Sequence, residues 1–213
     1  MGFDFNRPSR RSIRLKGYDY ADAGNYFITI CTMNRECLLG EIHEGRMILS
    51  AIGEIANLEW LNTPKVRPDI ELGPFVIMPN HLHGIITIYP CRGDPLGRPG
   101  RLTLESNQII QGVPPERPYI LPGNSLEIKR IIQGGAFQQN APTLKPETIG
   151  AIIGQFKSIS TKKIRETECL GFHWQRNYYE HIIRDRSESE KIQKYILDNP
   201  KNWSEDQDNP VNY

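Results

Sequence analysis

The chain has 213 residues, of which 38% are hydrophobic and 24% are charged, and its formal net charge is +1. This composition is typical of a globular chain that buries a real core, most simply as one domain, and it excludes an overall bias toward polyanions. The four cysteines show neither Cys-x-x-Cys spacing nor a dense secreted pattern, which excludes a zinc ribbon and a disulfide scaffold. No apolar run is long enough for a membrane span, and the charged amino terminus lacks the apolar core of a signal peptide. We therefore expect a cytoplasmic protein with no membrane partner.

The charges are unevenly distributed, and the start of the chain is basic. The first sixteen residues contain one acidic residue, Asp4, and five basic ones, Arg7, Arg10, Arg11, Arg14 and Lys16. A local field of this kind attracts phosphate even in a chain that is nearly neutral overall. We predict a basic arm over residues 1–20, with a merely solvated terminus as the alternative.

The first half of the chain predicts a sheet with one helix. Residues 26–32 are dense in β-branched and aromatic side chains and predict a strand. Residues 41–50 contain Glu44-Gly45-Arg46, which favours a turn between two short extended pieces. Ser50 is a suitable cap for a helix with apolar residues at helical spacing, and Pro64 is expected to end that helix.

Two further strands are predicted over 70–78 and 82–89, and a pair of histidines stands at the start of the second. His81 and His83 stand at i and i+2 in a segment of strand character, so their rings are expected to point to one face. Two imidazoles on a rigid sheet can share a divalent cation, although two ligands do not complete a metal site. A polar strand face without any metal is the simpler alternative for this spacing.

Residues 90–146 differ sharply in composition from the rest of the chain. They are rich in Gly, Pro, Gln and Asn, so they cannot bury enough apolar surface to offset the entropy of ordering them. Long irregular segments of this kind inside compact domains are usually disordered or lid-like. We therefore predict an exposed, disordered insertion.

Regular structure is predicted to resume after the insertion. Residues 147–163 have helical spacing, with basic residues toward the far end. Residues 172–184 favour an extended piece through their alternation and aromatic content, with a short helical turn as the alternative. Ser187-x-x-Glu190 is a capping box that predicts a third helix, and Pro200 is expected to stop it.

The third predicted helix carries groups that the histidine pair lacks. Tyr195 and Asn199 lie one turn apart on the same face, so a phenol and a carboxamide oxygen project together. If that face meets the sheet over the histidines, Asn199 can complete a three-ligand site and Tyr195 points at whatever the cation binds. Mg²⁺ and Mn²⁺ suit such a site, because they accept oxygen ligands, tolerate imidazole and keep positions open for phosphate oxygens. The chemistry this implies is attack on a phosphodiester.

The sequence leaves rivals for each of these roles. Tyr178 and Tyr179 are alternative nucleophiles, and His181 is an alternative third ligand, because a Tyr178-x-x-His181 segment can also face the cation. An ordinary core tyrosine and a helix-terminal amide are the alternatives for Tyr195 and Asn199. Spacing alone does not decide between them.

Five linked motifs together resemble the HUH single-tyrosine transposases, and most closely their REP-associated branch. The match covers residues 10–90 and 147–203, and its motifs are YFIT at 26–29, VIMPNHLHG at 76–84, FKS at 156–158, WQRNYYEH at 174–181 and YILDNP at 195–200. Five motifs in order are far more specific than a paired histidine alone. The long insertion departs from the compact members of that family.

The resemblance implies a ferredoxin-like or RRM-like α+β fold, an antiparallel sheet with packed helices. It implies one catalytic domain over 21–203, interrupted by the insertion and followed by a tail at 204–213. It also implies that His81, His83 and Asn199 bind Mg²⁺ or Mn²⁺ and that Tyr195 is the nucleophile, with Tyr178 as second choice. The family cleaves single-stranded DNA, often beside a hairpin, through a 5′-phosphotyrosine intermediate that needs no ATP.

The partner expected from this resemblance is single-stranded or hairpin DNA. The protein is then expected in the cytoplasm, associated with the nucleoid. The residues expected to bind DNA are Arg7, Arg10, Arg11, Arg14, Lys16, Lys157 and Arg176. A non-catalytic nucleic-acid-binding module that keeps the fold is the alternative function, and a metallohydrolase using His81, His83 and His181 is a weaker one. A homodimer and a monomer are both left open.

Overall fold

The structure is a computed structural model, and it describes residues 23–89, 148–167 and 169–212. The predicted basic arm and the predicted insertion lie outside these residues. The described strands are β1 (Gly24–Cys31), β2 (Gly40–His43), β3 (Arg46–Leu49), β4 (Ile70–Ile77), β5 (His81–Ile88) and β6 (Tyr179–Ile183). The described helices are α1 (Ala51–Val66), α2 (Ile149–Arg165) and α3 (Arg186–Asp198).

Four of these strands form one antiparallel sheet in the order β4-β5-β1-β6, while β2 and β3 form a separate hairpin. β1 is central, because it pairs with β5 on one side and with β6 on the other. The predicted α+β class, an antiparallel sheet with packed helices, is confirmed. The extended interpretation of 172–184 is also correct for its second half, where β6 lies.

Side chains alternate across β1 and so contribute to two separate apolar cores. Tyr26, Ile28 and Ile30 point to the face that packs against buried residues of α1 and α2. Phe27 points to the opposite face, where it packs with Ile196 and its neighbours on α3. Helices therefore cover the sheet on both faces, and a polar group on either face is shielded from water.

The first helix starts where the sequence predicts but ends later. The Ser50 hydroxyl accepts a hydrogen bond from the Gly53 amide at 3.1 Å, which caps the first turn. The expectation that Pro64 ends the helix is wrong, because α1 continues to Val66 with the proline inside it. Proline removes one backbone hydrogen bond, but Trp60 of α1 is fully buried, with its ring near Phe156 of α2 and Phe75 of β4. Tertiary packing therefore outweighs the local preference.

The N-cap of the third helix lies two residues before Ser187, where the capping box predicted it. Its N-cap is Asp185, whose carboxylate accepts the Glu188 amide at 2.8 Å, and Ser187 lies inside the first turn. Glu188 in turn accepts the Arg184 amide at 2.8 Å. The earlier start follows from the short strand before it, since β6 ends at Ile183 and the chain must turn at once. The predicted end is close to the observed one, with Asn199 as the C-cap before Pro200.

Candidate active site

Both histidines lie on the sheet face that α3 covers. In the register of β1 and β5, His81 is opposite Cys31 and His83 is opposite Thr29, so all four share the face of Phe27. The two imidazoles are 0% and 4% exposed, and their ring centroids are 4.4 Å apart. Both rings therefore lie in one buried polar pocket, on the same face of the sheet as their two-residue spacing predicts.

The hydrogen bonds of Asn80 determine which nitrogen of His81 carries the proton. The Asn80 amide nitrogen donates to the carbonyl oxygens of Arg35, at 3.0 Å, and Asp208, at 2.6 Å. Because carbonyls only accept, the remaining Asn80 atom at 2.8 Å from His81 Nδ1 must be the amide oxygen. His81 Nδ1 is then the donor, and its Nε2 carries a lone pair. That Nε2 is buried and has no hydrogen-bond partner among the described residues.

His83 is held between a hydroxyl on each side. Its Nδ1 lies 2.8 Å from Thr29 Oγ1, and its Nε2 lies 3.3 Å from the Tyr195 hydroxyl. The ring stacks on Phe27 with centroids 5.4 Å apart. These contacts fix the plane of the imidazole, so its Nε2 points at the third helix.

Burial keeps both imidazoles neutral. Desolvation, with a smaller contribution from the Arg35 charge, lowers the pKa of His81 to about 3. Desolvation and the neighbouring His81 lower the pKa of His83 well below its ordinary value. Neutral imidazole is the form that binds a metal ion, so near neutral pH neither ring must lose a proton first.

Tyr195 and Asn199 lie on the face of α3 that meets this pocket. Burial, together with the negative charges of Asp206 and Asp208, raises the pKa of Tyr195, and a hydrogen bond from the Asn199 side chain partly offsets this. Asn199 is only 3% exposed, and its amide oxygen has no hydrogen-bond partner among the described residues. The structure thus brings Tyr195 and Asn199 to the histidine pair.

Asp206 is the site residue that the sequence analysis missed. One ligand atom from each of His81, His83 and Asp206 lies within 4.8 Å of the others, so these three residues could hold a metal ion. Asp206 belongs to the stretch 204–213, which we predicted only as a tail. The acidic Asp206-x-Asp208 pair was the available signal, but a sequence pattern does not show that the chain folds back.

Contacts at Asp208 hold this returning segment in place. The Arg35 guanidinium pairs with the Asp208 carboxylate at 2.8 Å, and Asn80 donates to the Asp208 carbonyl as described above. The Asp208 amide then donates to the Asp206 carboxylate at 2.6 Å. Burial raises the pKa of both carboxyl groups, and the Arg35 charge opposes that shift. Asn80 therefore connects the His81 ring to the backbone that carries Asp206.

The rival residues take other positions. Tyr178 packs against the core on the α1 and α2 face, with the Lys157 ammonium 5.5 Å from its ring centroid. Tyr179 lies on the histidine face, with its ring edge toward Phe27 at 6.2 Å. His181 Nε2 lies 2.8 Å from the Glu188 carboxylate, outside the metal-ligand cluster.

The residues predicted to bind DNA are only partly within the described structure. Arg7, Arg10, Arg11, Arg14 and Lys16 lie outside it. Arg176 is exposed. The Lys157 ammonium donates to the carbonyls of Gln175, Arg176 and Asn177 at 2.8, 3.4 and 2.9 Å. Among the described residues, no helix combines the length and apolar character needed to cross a membrane.

The fold and pocket define an α+β protein with a buried His-His-Asp cluster facing a tyrosine. No family model matches the chain. An uncharacterized protein of Haemophilus influenzae is 39% identical over 198 residues, which cover 93% of this chain and 92% of that protein. The chain therefore belongs to the same family as this Haemophilus influenzae protein.

Two solved structures are similar at lower levels. One is a REP-associated tyrosine transposase bound to a REP hairpin, 17% identical with a TM-score of 0.43, covering 85% of this chain and 68% of that one. The other is assigned as a transposase of Deinococcus radiodurans R1, 14% identical with a TM-score of 0.34, covering 87% and 95%. Neither TM-score reaches 0.5.

Proposed function

We propose that this protein is a metal-dependent DNA strand transferase that cleaves single-stranded DNA beside a hairpin, as in DNA transposition, with Tyr195 as its nucleophile. One observation carries the proposal. The Tyr195 hydroxyl lies 3.3 Å from His83 Nε2, in the pocket where His81 Nε2 and Asn199 Oδ1 are buried and find no partner in the described part of the chain. A nucleophile, two neutral imidazoles and an amide oxygen thus meet from segments far apart in the chain. The five sequence motifs described above independently support the same chemistry.

The donor set of the pocket fits a divalent cation. A buried polar atom without a partner costs about 1–3 kcal/mol, and the pocket contains two of them, on His81 and Asn199. A cation held by these atoms, His83 and the Asp206 carboxylate would satisfy both and would offset the carboxylate charge. Two nitrogen and two oxygen donors suit Mn²⁺ well and Mg²⁺ less well, because Mg²⁺ prefers oxygen. When bound, the cation would polarise a phosphate oxygen and favour ionisation of a nearby phenol.

Tyr195 forms the new bond in the proposed reaction. The Tyr195 oxygen attacks the phosphorus and forms a new O–P bond, while the bond from phosphorus to the 3′ oxygen of the preceding nucleotide breaks. The leaving oxygen takes up a proton and becomes a free 3′ hydroxyl. Tyr195 is only partly buried, so water can accept the phenolic proton. The 5′-phosphotyrosine keeps the energy of the broken bond, so a 3′ hydroxyl can later reverse the reaction without ATP.

A covalent capture experiment tests this proposal. Full-length protein is incubated with a labelled single-stranded hairpin DNA and Mn²⁺, and the adduct is resolved on a denaturing gel. Wild type and Tyr178→Phe are expected to form the adduct, and Tyr195→Phe is expected to lose it. Tyr178 is a matched control because it is a tyrosine on the opposite face of the sheet.

Three results would contradict the proposal. An adduct that persists in Tyr195→Phe but disappears in Tyr178→Phe would assign the nucleophile to the other tyrosine. Salt-dependent DNA binding without any adduct would favour the alternative function, a binding module that keeps the fold. Cleavage without a covalent link would instead fit a metallohydrolase.

A further inference from the structure

A cationic groove lies between the second half of α2 and residues 173–176. Its volume is roughly 500 Å³, and its lining includes four basic side chains, those of Lys157, Lys162, Arg165 and Arg176, but no acidic one. We propose that this groove binds the phosphate backbone of single-stranded nucleic acid and leads the strand toward the pocket. The inference rests on the proposed function, since it names where the substrate of that site lies.

The groove is at the same end of the sheet as the histidines. The Gln175 amide donates to the Cys31 carbonyl at 2.9 Å, and Trp174 forms an isolated bridge with Thr32. This segment therefore lies beside the end of β1 on one side, while His81 lies opposite Cys31 on the other. Two strand spacings of about 4.8 Å put the two backbones roughly 10 Å apart. Because α2 covers the sheet face opposite the histidines, a strand bound in the groove passes around the end of β1 to reach the pocket.

Contacts inside the protein hold the groove wall rigid. The three carbonyls that accept from Lys157 belong to consecutive residues, so this half-buried ammonium fixes the backbone from which Arg176 projects. Arg165 Nε donates to the Phe172 carbonyl at 3.2 Å, and its Nη2 lies 2.8 Å from a ring nitrogen of His173. Lys157 is therefore a positioning residue, and its side chain also lines the groove.

The exposed charges come from two separate segments. Lys162 and Arg176 are both exposed, and no ion pair with an acidic residue is recorded for either within the described ranges. Basic residues in the last turns of a helix complement its dipole, which accounts for Lys162 and Arg165. The dipole does not account for Arg176, which lies on a different segment and faces the same space. Basic side chains that converge from two separate segments create the local positive field that attracts a polyanion.

The groove contacts backbone rather than bases. Trp174 is only 6% exposed, with its ring packed against Phe156 and Phe172 and its indole nitrogen donating to Ser160 at 2.9 Å. It therefore offers no face for base stacking. Contacts of this kind position a strand and carry no sequence information. We expect the groove to bind without sequence preference.

Fluorescence anisotropy with a labelled single-stranded oligothymidine tests the groove. Affinity of the full-length protein is measured at several salt concentrations for wild type, for Lys162→Gln/Arg176→Gln, and for Lys65→Gln as the control. Lys65 is an exposed lysine of α1 that does not line the groove. Each phosphate contact on single strands contributes about 0.7 to the slope of log affinity against log salt, so losing two lowers the slope by about 1.4. The loss of affinity between 50 and 200 mM salt, a fourfold change, then becomes roughly sevenfold smaller.

The outcome separates this inference from the proposed function. An unchanged slope and affinity in the double variant, or an equal change in Lys65→Gln, would contradict the proposal that the groove binds nucleic acid. Thermal melting of each variant shows whether a lost slope reflects lost contacts or lost folding. The groove fails and the proposed function stands if the double variant binds as wild type while Tyr195→Phe alone loses the adduct. The reverse holds if the slope falls but no protein forms an adduct.

Discussion

A divalent cation is expected to stabilise this protein against heat through the buried pocket. His81 Nε2 and Asn199 Oδ1 are each buried with no partner in residues 23–89, 148–167 and 169–212, and together they cost about 2–6 kcal/mol in the metal-free state. The nearby Asp206 carboxylate adds a partly buried negative charge. A cation at these atoms binds the folded state only, because the unfolded chain separates the ligands by more than a hundred residues. Its binding free energy therefore adds to the free energy of unfolding.

The size of the effect follows from mass action. At a free Mn²⁺ concentration of 100 times its dissociation constant, the free energy of unfolding rises by about 2.7 kcal/mol. This increase lies within the cost of about 2–6 kcal/mol that the two buried, unpaired atoms carry in the metal-free state. For a domain of 150–250 residues, each kcal/mol raises the melting temperature by about 2–4 °C, so the expected increase is about 5–11 °C.

Thermal unfolding of full-length protein, with and without Mn²⁺, measures this increase. His81→Ala removes one ligand, and its Mn²⁺-induced increase is expected to fall to near zero. His181→Ala is the matched control, because this histidine pairs with Glu188 outside the cluster and its increase should equal that of wild type. The comparison uses the increase within each variant, since His81→Ala also leaves the Asn80 amide oxygen without its partner.

Two results would refute the reasoning. No increase in wild type at millimolar Mn²⁺ would show that the unpaired atoms do not form a metal site. An increase lost in His181→Ala but kept in His81→Ala would move the site to the rival histidine.

Three further predictions concern the scaffold around the site. A Cβ on Gly53 would lie 1.9 Å from a backbone carbonyl oxygen just ahead of β2, so Gly53→Ala should lower the free energy of unfolding by roughly 3 kcal/mol. Gly154 of α2 has open space around it, so Gly154→Ala should raise the free energy of unfolding slightly, and a denaturant titration measures both changes. Burial lowers the pKa of Lys157 to about 8, whereas the pKa of an unfolded lysine is about 10.4. Between these two pH values the unfolded state binds the extra proton, so the stability of wild type relative to Lys157→Met should rise with pH in urea titrations. Burial raises the pKa of the Cys31 thiol to about 12, so iodoacetamide at pH 8 should modify exposed Cys37 well before Cys31, as read by peptide mass spectrometry; equal rates would contradict the described burial.

The contacts of Asn80 illustrate how a residue outside a candidate metal site can hold the residues of that site in place. Asn80 uses all of its side chain, accepting from His81 and donating to two carbonyls. One amide thereby orients a ligand ring and holds the segment that carries Asp206. Partners of this kind set the tautomer and orientation of a metal-binding histidine. A substitution at Asn80 is therefore expected to weaken metal binding without removing any ligand.

What the sequence alone determined about this protein is local and periodic. The two-residue spacing of His81 and His83 placed both rings on one face, and the four-residue spacing of Tyr195 and Asn199 placed both groups on one side of a helix. These follow from the backbone geometry of strands and helices, which any sequence obeys. A run of β-branched and aromatic residues likewise predicted the strand β1, and a capping serine predicted the start of α1.

Only the tertiary structure decided which of these surfaces meet. It put α3 over the histidine face, Tyr178 on the opposite face, and Asp206 beside a pair of rings more than a hundred residues away. It also carried α1 past Pro64 and moved the cap of the third helix to Asp185. The physical reason is that such placements depend on the summed packing of distant segments, each of which contributes little by itself. No local pattern contains that sum.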